Sequence, residues 1–122
     1  MIDHISIGVT DLERSVAFYD GVLGTIGYSR VWRTDYAAGY GIDGADDKLA
    51  LFSNHSARAS GPGFHLAFTS PTEEAVRQFH ATAIELGGMD AGQPGLRQKY
   101  SPTYYAAFVL DPYGWKLEAV RQ

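Results

Sequence analysis

Phe64-His65-Leu66-Ala67-Phe68 alternates large apolar side chains with polar or small ones. In an extended chain Phe64, Leu66 and Phe68 share one face and His65 and Ala67 the other, the period-two pattern of a half-buried strand. The apolar face needs a layer to pack on. The opposite face carries one imidazole among small residues, a position that calls for a partner. Asp3-His4-Ile5-Ser6-Ile7-Gly8-Val9 has the same design, with Ile5, Ile7 and Val9 on one side and His4, Ser6 and Gly8 on the other. Two strands half a chain apart thus each present a histidine away from the core.

The segments after these two strands are also alike. The strand Ile2–Val9 leads into Thr10-Asp11-Leu12-Glu13, a capping box. The helix it opens carries Leu12, Val16, Tyr19, Val22 and Leu23 at helical spacing and stops near Gly24 and Gly27. The strand Phe64–Thr69 leads into Ser70-Pro71-Thr72-Glu73, a second capping box with proline at the first helical position. Its helix carries Val76, Phe79, Ala83 and Leu86 and ends at Gly87-Gly88. Tyr28–Arg33, Tyr36–Ile42 and Lys48–Ser53 are expected strands, with Gly41 to Asp47 as a turn. Asn54–Gly63 is an expected connector and Gly92–Pro102 an expected loop. Tyr104–Leu110 and Trp115–Val120 are expected strands around the turn Asp111-Pro112-Tyr113-Gly114.

The two halves lie over each other. Thr10 meets Ser70, Glu13 meets Glu73, Val16 meets Val76, Tyr19 meets Phe79 and Gly27 meets Gly87. His4 meets His65 with one residue of slack, and Lys48-Leu49-Ala50-Leu51 meets Lys116-Leu117-Glu118-Ala119. An internal repeat constrains a fold more than any single propensity. The expectation is one α+β domain over residues 1–122, built of two pseudosymmetric βαβββ modules at about 1–55 and 62–122. Their sheets would curve into a shared open trough.

Composition narrows the class. The chain has 122 residues, 45% hydrophobic and 20% charged, which suits one globular domain. It has no cysteine, so disulfides, thiolate nucleophiles and cysteine-ligated metals are excluded. Formal net charge is −4 and the basic residues are scattered, which argues against nucleic acid as a partner. No apolar run reaches membrane-spanning length, and Met1 leads straight into strand-like sequence without a signal-peptide pattern. A cytoplasmic location without membrane contact is the expectation.

In Trp115–Val120 the alternation puts Glu118 on the face opposite Leu117, and the repeat puts it in the trough with His4 and His65. Two neutral imidazoles and a carboxylate suit a divalent metal such as Fe, Mn, Ni, Co or Zn. Three protein ligands leave coordination positions open for water or substrate, as a catalytic site requires. The repeat partner of Glu118 is Ala50, which cannot ligate. A lone strand histidine is usually structural; it is the joint placement of three donors that favours the metal. Tyr100, Tyr104 and Trp32 are candidate trough-lining aromatics, though core packing is equally common for such residues. Arg97 and Lys99 are candidates for holding an anionic substrate group. His80 is expected on the helix surface and His55 in solvent.

The His4 strand, the helix start Thr10-Asp11-Leu12-Glu13-Arg14-Ser15-Val16-Ala17-Phe18-Tyr19, the His65 strand and Asp111-Pro112-Tyr113-Gly114-Trp115-Lys116-Leu117-Glu118-Ala119-Val120 together resemble the vicinal oxygen chelate superfamily. That superfamily includes glyoxalase I, extradiol dioxygenases, fosfomycin-resistance transferases, methylmalonyl-CoA epimerase and bleomycin-resistance proteins. The resemblance spans essentially the whole chain. It implies metal ligands at His4, His65 and Glu118, a small-molecule substrate with vicinal oxygens, lyase, isomerase or dioxygenase chemistry, and a homodimer. The fourth ligand of glyoxalase I would fall on Ala50, and two drug-holding residues of the fosfomycin transferases on Ala106 and Phe108, so neither reaction is expected. The alternative it implies is a metal-independent protein that binds a drug-like or aromatic ligand, as bleomycin-resistance members do.

Overall fold

The computed structural model describes residues 1–122. The elements run β1 (Ile5–Val9), α1 (Leu12–Gly24), β2 (Ser29–Arg33), β3 (Ala37–Gly41), β4 (Leu49–Ser53), β5 (Leu66–Thr69), α2 (Glu73–Glu85), β6 (Met89–Leu96), β7 (Tyr105–Leu110) and β8 (Lys116–Arg121). They make two four-stranded sheets of the same topology, β1-β4-β3-β2 and β5-β8-β7-β6. In each, the first strand pairs parallel with the last and the remaining pairs are antiparallel. The expected two-module α+β architecture is therefore present, and each sheet keeps an open face. No helix is long and apolar enough to cross a membrane.

Both helices form where the apolar periodicity places them, but their caps are not those of the two S/T-x-x-E patterns. Asp11 caps α1 by accepting from Arg14 N–H, and Thr72 caps α2 by accepting from Ala75 N–H at 3.0 Å. Both cap residues have extended backbones, which is the geometry that aims a side-chain oxygen at the first free N–H groups. Ser70 instead donates its hydroxyl to Thr72 O. The expected stripe of α1 is buried throughout, and Ser15 and Phe18 are buried beside it. The stripe is wide because α1 has two neighbours, its own sheet and α2. The close approach is at Gly21, where an added Cβ would collide with Leu86 at the end of α2. One continuous core therefore spans both modules.

Two expectations fail together. Gly92–Pro102 is not simply a loop: Met89–Leu96 is strand β6, paired with β7 through two register shifts. His80 is not on the surface either. It is 7% exposed, with Nε2 2.8 Å from Asp90 Oδ1 at the start of β6. An edge strand tolerates Pro94 and glycines because one side of it needs no ladder donors. Here a side chain on α2 holds its first residues.

The modules are also locked through a buried carboxylate. Asp111, 2% exposed, accepts the hydroxyl of Tyr19 through Oδ2 at 2.7 Å. Its Oδ1 accepts the backbone N–H groups of Tyr113 and Trp115. Gly114 sits at φ +101 in this turn, where a Cβ would be strained. Trp115 then donates its indole N–H to Gly8 O in β1. Burial raises the Asp111 carboxyl above the usual range, and the Tyr19 hydroxyl and the backbone donors pull it partway back. A raised folded-state value means that this site costs stability as pH rises through it. Tyr19→Phe strands Oδ2 in the core and is expected to cost about 1–3 kcal/mol in urea unfolding at neutral pH. The cost should shrink on acidification, as Asp111 takes up a proton.

Candidate functional site

The sheet registers build two matching rows. On the first sheet, Ser6, Ala50, Gly39 and Trp32 are successive cross-strand partners. On the second they are Ala67, Glu118, Phe108 and Gly92. The rows correspond strand by strand, so the repeat pairs Ala50 with Glu118 in space as well as in sequence. In each row a glycine leaves room for an aromatic ring. A Cβ on Gly39 would collide with the Trp32 indole, and one on Gly92 would sit 3.0 Å from the Phe108 ring. The ring stands on the edge strand in one row and on its neighbour in the other, so the open faces differ in shape.

Only the second row carries chemistry. His65, one residue ahead of β5, lies on the same side as Ala67 and reaches Glu118 with Nε2 2.9 Å from Oε2. The hydroxyl of Tyr104 donates to Oε1 at 2.5 Å. Glu118 is 1% exposed, whereas the His65 side chain is 44% exposed. A buried carboxylate is thus satisfied on both oxygens, and one of its partners opens to solvent. Burial, and then the Glu118 carboxylate, push the Tyr104 hydroxyl up to about 12. The His65 ring meets Phe108 edge to face at 5.6 Å.

These groups form one wall of a cavity of about 550 Å³. Tyr100, Arg97, Lys99 and Lys116 complete it, and no residue of the first module lines it. Arg97 donates to the carbonyls of Gly95 and Gln93 at 2.9 and 2.7 Å, clasping the irregular edge of β6. Four of the five expected substrate-contact candidates, Arg97, Lys99, Tyr100 and Tyr104, therefore line one cavity with His65 and Glu118. Lys116 and Phe108 were not among them, although the signal was present: both lie on the Glu118 face by strand alternation or register.

Two expected site residues lie elsewhere. Trp32 packs over Gly39 and lines a separate cavity of about 560 Å³ with Tyr28, Arg30 and Arg33. His4 is half exposed, its Nδ1 is 2.7 Å from Asp3 Oδ1, and that carboxylate raises its pKa. It lines a cavity of about 250 Å³ between the modules, with Tyr28, Ala67 and Phe68. Nowhere do three His, Cys, Asp or Glu side chains converge as a metal-binding group. For a divalent metal the donor chemistry of His65 and Glu118 fits, and the two side chains already converge. Within one chain, however, they supply two donors and His4 stands apart.

The likeness to known proteins bears on this geometry. The model of the Glyoxalase/Bleomycin resistance protein/Dioxygenase superfamily matches residues 1–119. The chain belongs to that superfamily. A glyoxalase/bleomycin resistance protein from Albidiferax ferrireducens T118 superposes with a TM-score of 0.86 at 30% identity, over 98% of this chain and 97% of that one. Glyoxalase I from Zea mays superposes with a TM-score of 0.73 at 26% identity, over 96% of this chain but only 44% of that protein. A superfamily enzyme from Burkholderia phytofirmans PsJN, at 21% identity and a TM-score of 0.74 over 98% of this chain and 96% of that one, shares the fold. No curated protein matches the chain. Membership in the superfamily accounts for the paired modules and leaves the reaction open.

Tyr104→Phe tests the hydrogen bond that holds Glu118. Losing a donor to a buried charged group is expected to cost about 1.5–3 kcal/mol in chemical unfolding. A spectrophotometric titration should also lose a phenol that ionises at about 12.

Proposed function

We propose that this chain is a metal-dependent enzyme acting on a small substrate with vicinal oxygens, of the lyase, isomerase or dioxygenase type. The observation that carries this reading is the half-exposed His65 imidazole set against the buried Glu118 carboxylate at the mouth of a substrate-sized cavity. His65 and Glu118 are two ligands of the proposed set and His4 the third. A divalent Fe, Mn, Ni, Co or Zn ion held there would act as a Lewis acid on the substrate oxygens. Tyr104 orients the carboxylate, because its hydroxyl fixes Oε1 and leaves Oε2 facing His65. Phe108 limits how the imidazole tilts.

His4 stands apart within one chain, so the proposed set closes between chains. In a homodimer, His4 of a second copy would face His65 and Glu118 of the first. The superfamily resemblance supports a dimer, and so does a cavity walled by the second module alone. A second reading has an observation in its favour too. Both Glu118 oxygens are already satisfied by His65 and Tyr104, as a metal-independent binding protein would require.

Metal analysis separates the two. Protein purified without chelator or a metal-affinity tag should carry divalent metal, and His65→Ala, Glu118→Gln and His4→Ala should each lose it. Mixing refolded His4→Ala with His65→Ala should restore binding in the heterodimers if the ligands come from two chains, since one of their two sites is then intact. No metal in the wild type, and none taken up from added Fe(II), Mn, Ni, Co or Zn, would sink the enzyme reading in favour of the binder.

A further inference from the structure

The charges around the Glu118 cavity do not balance. Arg97, Lys99 and Lys116 line it, against a single carboxylate that is already paired with His65. The chain as a whole has net charge −4, and it has three lysines, Lys48, Lys99 and Lys116. Two of the three therefore face one cavity. Neither has a carboxylate within ion-pair distance; among the lysines and arginines only Arg30, Arg33 and Arg77 do. The two ammonium groups come from different elements, Lys99 from the loop after β6 and Lys116 from the first position of β8. Each lies over an aromatic wall of the same cavity, Lys116 over Phe108 at 5.1 Å and Lys99 over Tyr100 at 5.0 Å. Like charges gathered at a concave surface without counter-charges raise the local concentration of anions.

The geometry points to a small organic anion as the ligand of this cavity, its anionic group held by Lys116 and Lys99 and its oxygens turned toward His65 and Glu118. The inference rests on the reading of His65 and Glu118 as the reactive end. Lys116 and Glu118 are two residues apart on the same face of β8, with backbones about 7 Å apart, and the lysine stem carries its ammonium over Phe108, the cross-strand partner of Glu118. One small ligand can therefore reach both. Tyr100 and Tyr104, with ring centroids 5.0 Å apart, give the intervening part of the ligand an aromatic surface. Arg97 contributes charge but holds the β6 carbonyls, so the lysines are the groups free to meet the anion.

A matched pair of probes tests this. 3,4-Dihydroxybenzoate has a carboxylate across the ring from adjacent hydroxyls, and 3,4-dihydroxybenzamide is its uncharged counterpart. Titration calorimetry on the metal-loaded wild type should show the carboxylate binding roughly tenfold tighter, the size of one charge-assisted contact. The ratio should shrink with added salt. Lys116→Met keeps the stem over Phe108, and Lys99→Met changes an exposed residue of the loop after β6. Both should narrow the ratio toward one. Equal binding of the two probes to the wild type, or a ratio unmoved by both substitutions, overturns the inference. Repeating the titration after chelator treatment separates it from the metal reading. A carboxylate preference that survives chelation keeps the anion site, and it counts against the metal when the affinities of both probes are also unchanged by the chelator. Metal-dependent binding with no preference does the reverse.

Discussion

The carboxylate of Asp111 is where this molecule is tied together. It is almost fully buried, and the bonds it accepts come from both modules: a hydroxyl from α1 of the first and backbone N–H groups from its own turn in the second. A buried carboxylate with missing partners would be strongly destabilising, so the bonds to it are close to obligatory. That requirement fixes the β7–β8 turn against the first helix. The turn in turn sets the start of β8, the strand that carries Glu118. The position of the candidate site is thus fixed from the side of the molecule that contributes nothing to its cavity.

The two modules show how a repeated frame becomes asymmetric with few changes. The cross-strand rows are equivalent in register, yet one carries Ala50 where the other carries Glu118. One places its ring on the edge strand as Trp32, and the other on the strand next to it as Phe108. The Trp32 ring occupies the space over Gly39. In the second module the corresponding edge residue is Gly92, the ring sits further in, and a cavity opens beside it. The same backbone therefore places an indole over the central glycine in one half, with a cavity beside Trp32 and Arg30, and in the other opens a hollow walled by His65 and Glu118; where the glycine stands decides which.

Much of this was legible in the sequence, because the repeat exposes pairs of positions rather than single ones. The helix stripes, the β1 and β5 alternations and the nearness of His65 to Glu118 all follow from local periodicity plus the repeat. The features that escaped are held by contacts distant in sequence. Asp90-Ala91-Gly92-Gln93-Pro94-Gly95 has little strand propensity of its own. It becomes β6 through its pairing with β7, through Arg97 clasping its carbonyls and through His80 reaching Asp90. Because the partner of His80 lies on that strand, the strand and the burial of His80 were hidden together. The Asp111-Pro112-Tyr113-Gly114 turn was legible as a turn, but its side-chain bond to Tyr19 crosses most of the chain and leaves no local signal.

The placement of His4 depends on the same tie. Trp115 donates to Gly8 O, Phe64 packs on Trp115 edge to face, and Tyr28 meets Phe68, so β1 and the start of the second module are held side by side. His4 stands at the opposite end of β1 from Gly8, while His65 stands at the Trp115 end of β5, next to Phe64. Side chains so anchored cannot slide along the strand, because a one-residue shift would turn each to the wrong face. The separation of the two histidines is therefore a property of the interface between the modules rather than of side-chain rotamers. Uniting them within one chain would require these contacts between the modules to break.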